Sequence, residues 1–151
     1  DKLQKFHIPN GPLYGKLKAG EQIALQDGTI IDGKDFLGPD RPGRIVTIIY
    51  DTRTTSSIAK LAKNADILVH ESTFAGNEAK LAHSYYHSTC VEAATVARDN
   101  GVKQLWLDHI SARYLGGKAK QLENQAKKVF PNTKLANDFD HVNIPMKGSK
   151  E

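Results

Sequence analysis

The apolar positions of this chain fall into two patterns. Ile45-Val46-Thr47-Ile48-Ile49-Tyr50, Ile67-Leu68-Val69 and Leu105-Trp106-Leu107 are short, dense runs that predict buried strands. Between them the apolar residues space out as on helices. Thr55 or Ser56 can cap a helix running to about Asn64. Ser88 or Thr89 can cap another across residues 91–97. Thr89 and Glu92 there stand at capping-box spacing, and Asn100-Gly101 ends the helix. Residues 119–130 predict a third helix with Leu122, Ala126 and Val129 on one face, stopped by Pro131-Asn132. Lys134-Leu135-Ala136 and His141-Val142-Asn143-Ile144 close the chain as strand-like pieces. Strand and helix thus alternate from residue 45 to 144, an α/β or layered α+β arrangement.

The first 44 residues read differently. Residues 8–20 hold two Pro and three Gly, which leaves room for at most a short helical piece. Asp27-Gly28 lies between two short apolar stretches and predicts a tight hairpin turn. Residues 38–44, Gly-Pro-Asp-Arg-Pro-Gly-Arg, read as a loop, and the tail from Lys147 is polar.

Composition narrows the class only modestly. A chain of 151 residues with 39% hydrophobic and 25% charged residues has enough material for one domain with a real core. The net charge of +4 permits an anionic partner such as RNA without requiring one. A single cysteine, Cys90, excludes an internal disulfide framework. It reads as a small buried helix residue, and a reducing, cytoplasmic setting is the expectation. No apolar run is long enough to cross a bilayer, so no membrane partner is expected. No glycine-rich phosphate loop occurs, which removes support for a nucleotide cofactor. The chain lacks an initiator Met and a signal core, so it is expected to be a piece of something longer.

Four polar clusters sit where the predicted strands end or a helix begins: Asp51-Thr52-Arg53, His70-Glu71-Ser72-Thr73, His87-Ser88-Thr89 and His109-Ile110-Ser111-Ala112-Arg113-Tyr114. A strand-end carboxylate such as Asp51 can bridge two metals, and His109 offers an imidazole ligand. Asp51 as a turn-forming carboxylate and His109 as a backbone-bonded histidine are the plainer alternatives. His87 precedes a helix N-terminus, where a phosphate could rest and take a proton from it. Arg113 could touch the same phosphate or be a solvated surface residue. No His-x-His or His-Glu-x-x-His pair occurs, so the chain cannot fill two metal sites by itself.

Together, in this order and spacing, the four clusters resemble the C-terminal motifs of the ribonuclease Z family, tRNA 3′-processing endoribonucleases of the metallo-β-lactamase superfamily. Gly11-Pro12-Leu13-Tyr14-Gly15-Lys16-Leu17-Lys18 resembles a stretch of bacterial members. Ser72 stands where the family has Ala, and Tyr50 where it usually has Gly. The resemblance implies that residues 1–151 are a single partial domain, the C-terminal half of an αββα sandwich. The N-terminal half, with the His-x-His-x-Asp-His signature, is not in this chain.

Roles follow from the same resemblance. His87 and Glu71 are the expected catalytic residues, with Glu71 orienting a histidine. Asp51 and His109 are the expected metal ligands, and Arg113 and Ser111 face the substrate phosphate. His70 and Thr89 support these groups from behind. Two zinc ions per complete site are implied, most ligands coming from the N-terminal half. Precursor tRNA, a second copy in a homodimer and that N-terminal half are the implied partners. Alone, the chain should expose an apolar sheet face. Another phosphodiesterase of the superfamily, or a non-catalytic partner-binding fragment, are the competing readings.

Overall fold

The computed structural model describes residue 8 and residues 11–38 and 42–146. Residues 39–41 of the expected loop, His7 and the tail from Lys147 lie outside them. The chain forms two compact units, Asp1–Arg41 and Pro42–Glu151. In the first, Ile8, Leu17, Ile23 and Ile31 form a small apolar cluster of their own.

In the first unit, helix α1 (Pro12–Lys18) begins with Pro at its start, where a missing N–H costs nothing. Strands β1 (Gln22–Ala24) and β2 (Ile30–Asp32) pair antiparallel around Asp27-Gly28, as expected. The turn is wider than a two-residue one, closed by the Leu25 N–H donating to Thr29 O at 2.8 Å.

The second unit is a four-stranded parallel sheet in the order β3 (Val46–Ile49), β4 (Ile67–Glu71), β5 (Gln104–Asp108), β6 (Thr133–Leu135). Helices α2 (Ser56–Ala62), α3 (Ala79–Ser84), α4 (Cys90–Asp99) and α5 (Ala119–Lys127) fill the connections. Leu68, Leu105 and Leu107 of the sheet share one buried cluster with Ile58, Ala93, Ala97, Leu122 and Ala126 of the helices. Cys90 is buried in it too. Thr89 caps α4 with a complete capping box to Glu92. Helix α5 is shorter than expected, because Val129 and Phe130 both turn their N–H groups to Ala126 O.

The 141–144 piece is not a strand. It runs beside Asp66, Lys103 and Asn132 and lines a cleft of about 210 Å³ with them, and Ile144 O accepts from Arg44. The other face of the sheet is open only in part. Val46 and Ile48 are 52% and 63% exposed, whereas Ile67 and Trp106 are buried and Lys134 lies over the Trp106 ring.

Candidate metal and phosphate site

The site lies at the carboxyl ends of β3, β4 and β5, where parallel sheets usually place ligands. Each strand delivers one group. Asp51 follows β3, Glu71 ends β4 and His109 follows β5. Asp51 and His109 both adopt left-handed backbone, with φ of 50° and 53°. Asp and His are among the few side chains that tolerate this, and such conformations cluster at functional sites.

His87 arrives from the turn before α4. An isolated parallel bridge between Phe74 and Thr89 zips the segment after β4 to the start of that helix. Cys90 N donates to Phe74 O at 2.9 Å and Ser88 Oγ to Thr52 O at 2.7 Å, which binds three loops together. Gly76 completes the packing: a Cβ there would overlap the Val91 side chain, and its N–H donates to Gln125 at 2.8 Å.

Asp51, His87 and His109 bring one donor atom each within 4.8 Å of one another. His87 Nδ1 stands 3.6 Å, and His109 Nε2 3.9 Å, from the same Asp51 oxygen. An exposed carboxylate beside two imidazoles is a donor set suited to zinc or a similar cation. The fit is partial, because His87 Nδ1 has a nearer partner in Glu71 Oε1 at 3.0 Å. His87 is thus tethered to Glu71, while the Asp51 carboxylate and the His109 ring are the more exposed members of the group.

Glu71 is fully buried and needs donors on both oxygens. Oε1 accepts from the Thr52 N–H at 2.9 Å and from His87; Oε2 accepts from the Thr73 N–H at 3.1 Å and the Thr73 hydroxyl at 2.8 Å. The Thr73 oxygen also lies 3.2 Å from His87 Nδ1 and 3.1 Å from the His109 carbonyl. Thr73 therefore ties the end of β4 to the loop after β5 and to His87 before α4, a role the sequence reading did not give it. The signal was there: Glu71 and Thr73 are two apart on extended chain and so point the same way. Thr73→Val in the intact protein should lower stability by about 1–3 kcal/mol, since the Glu71 carboxylate loses a donor. Urea unfolding checks this; an unchanged midpoint removes Thr73 from the network.

The other expected residues are placed as follows. Arg113 sits 5.0 Å over the Phe74 ring and 3.6 Å from Glu78, next to His87. Ser111 Oγ accepts from the Arg113 N–H at 3.4 Å, capping a short turn. Thr89 bonds Glu92 rather than any member of the cluster. Tyr50, in place of the small residue, hydrogen-bonds Asp108 and packs on the His109 ring at 5.8 Å.

His70 points to the helix-covered side of the sheet, level with Ile49 and Leu107. Its Nδ1 lies 2.7 Å from Glu71 O, and its Nε2 has no hydrogen-bond partner among the described residues. Burial pushes its pKa below the ordinary 6.5. The unfolded chain therefore binds the proton first as pH falls. Stability should decline as pH drops through about 6.5 and level off only below the folded value. Thermal melts of the intact protein on either side of that pH, with His70→Leu flattening the slope, test it.

No protein-family model matches the chain. It is similar over all 151 residues to ribonuclease Z of Lactobacillus acidophilus, at 76% identity, and to ribonuclease Z of Lactobacillus helveticus, at 70%. It spans about half the length of these curated relatives, 48% in each case. Among solved structures, the metallo-beta-lactamase fold protein YhfI from Bacillus subtilis matches with a TM-score of 0.56 and 26% identity, over 71% of this chain and 39% of that one. Human tRNase Z, short form, matches with a TM-score of 0.54 and 28% identity, over 78% and 37%. The parallel sheet with its helices is thus part of a metallo-β-lactamase-type fold.

Proposed function

Because the chain is related along its whole length to ribonuclease Z, of which it spans about half, we propose that it is the C-terminal half of a zinc-dependent endoribonuclease that removes the 3′ trailer from precursor tRNA. The observation that carries this reading is the convergence of Asp51, His87 and His109, with buried Glu71 holding His87 from behind.

The chemistry is a hydrolysis. Water attacks the phosphorus, the bond from phosphorus to the 3′ oxygen breaks, the tRNA keeps a 3′-hydroxyl and the trailer departs with the phosphate. Glu71 accepts a hydrogen bond from His87 Nδ1–H and fixes the ring, so the protonated Nε2 is left to give its proton to the departing 3′ oxygen. The same carboxylate stabilises the imidazolium before transfer. Arg113, half exposed beside His87, steadies a non-bridging phosphate oxygen. Asp51 and His109 would hold zinc, which when bound offsets charge on the phosphoryl oxygens. The remaining ligands and the general base come from the N-terminal half, which also covers Val46, Ile48 and Tyr50. The complete protein acts as a cytoplasmic homodimer, and its grip on the RNA backbone weakens with salt.

The test is cleavage by the intact protein of precursor tRNA against a simple diester, bis(p-nitrophenyl) phosphate. Trailer removal that stops with a chelator and returns with zinc is expected. Hydrolysis of the diester with precursor tRNA left whole would favour another phosphodiesterase. Inactivity on both, with no bound metal, would favour a non-catalytic module.

A further inference from the structure

Beside His87 lies an open cavity of about 370 Å³, lined by Thr73, Phe74, Leu81, Tyr85, His87 and Arg113. Phe74, Leu81 and Tyr85 have no part in the hydrolysis itself. Phe74 is buried and forms the floor, its ring 6.0 Å from that of His87. Tyr85 forms a wall. Its ring is nearly parallel to Phe74, at 18°, with centroids 6.5 Å apart, and 64% of the residue is exposed. The Arg113 guanidinium lies over the Phe74 ring and closes another side. Among the described residues no carboxylate lines the cavity, Glu78 standing 3.6 Å from the Arg113 guanidinium outside it.

Two aromatic rings and a guanidinium plane are the groups on which unpaired bases stack. Of the groups here that could read a base edge, the Thr73 hydroxyl and His87 Nδ1 are engaged by Glu71, and the Arg113 guanidinium lies over Phe74 and beside Glu78. We infer, resting on the endoribonuclease reading above, that this cavity is a stacking subsite for the nucleobase of a nucleotide flanking the scissile phosphate. It holds the base against Tyr85 while His87 meets the phosphate. Such a subsite accepts all four bases and favours the larger purines, since stacking rather than edge recognition holds the base.

A cycle of protein and substrate changes tests this in the intact protein. Tyr85→Ala removes an exposed ring whose loss leaves the core untouched, and Tyr85→Phe keeps the stacking surface. RNA substrates carry an abasic residue on one side of the cleavage point or the other. Tyr85→Ala should raise KM about tenfold on normal RNA. Removing the base on one of the two sides should cost the wild type as much, and should cost Tyr85→Ala nothing further. Tyr85→Phe should retain the wild-type KM. Additive losses on both sides, or a Phe variant as impaired as the Ala variant, would overturn the subsite.

The same cycle is read from binding, as quenching of 2-aminopurine in an RNA oligonucleotide. If the wild type fails to cleave precursor tRNA but shows Tyr85-dependent quenching, the processing reading falls and the subsite stands. Cleavage without any Tyr85-dependent quenching or KM change sinks the subsite alone.

Discussion

His87→Ala in the intact protein is expected to lower turnover by about 10²- to 10⁴-fold, the usual worth of a positioned proton donor. Metal content should hardly change. The ring is tied through Nδ1 to Glu71 at 3.0 Å, and it lies farther, 3.6 Å, from the Asp51 carboxylate. The variant also leaves the buried Glu71 carboxylate with the donors from Thr52 and Thr73. Its fold is therefore supported even though its proton donor is gone. Single-turnover cleavage together with elemental analysis separates the outcomes. Unaltered turnover removes the proton-transfer role, and loss of metal makes His87 a ligand instead.

The second large effect is at Asp51. Asp51→Asn should abolish most activity and weaken metal affinity by at least about 10²-fold, more than the loss of an outer partner of a ligand. Asn is the informative substitution, because it tolerates the left-handed backbone that Asp51 adopts, whereas Ala adds strain there. Asp51 is mostly exposed, so thermal stability without metal should stay near that of the parent. Full metal retention in the Asn variant would take Asp51 out of the metal site. The contrast between the two variants is the useful result: one loses the reaction and keeps the metal, the other loses both.

Much of this was legible along the chain. The β-branched run before Asp51 and the runs at Ile67 and Leu105 became β3, β4 and β5, because such side chains fill a sheet face covered by helices; in β3 only that face is buried, and Val46 and Ile48 on the other are exposed. Thr89 and Glu92 formed the capping box their spacing announced, because a cap is made by residues three apart. The strand-end positions of Asp51 and His109 followed from those runs. Local pattern misled at residues 141–144. An apolar alternation predicts a strand only if a sheet edge receives it, and this segment instead lines a cleft at the opposite end of the strands.

What the sequence by itself determined was therefore the elements, their alternation and which polar residues stand at strand ends. These depend on neighbours a few positions away. Only the tertiary structure decided which of those residues meet. Thr73 joins Glu71, His87 and the His109 carbonyl because parallel pairing puts the ends of β4 and β5 side by side. His70, one residue before Glu71, is turned to the opposite face by the pleat and shares the core with Leu107. Contacts of that kind join residues far apart in the chain. Strand order and register fix them, and neither is written in the spacing of any one segment.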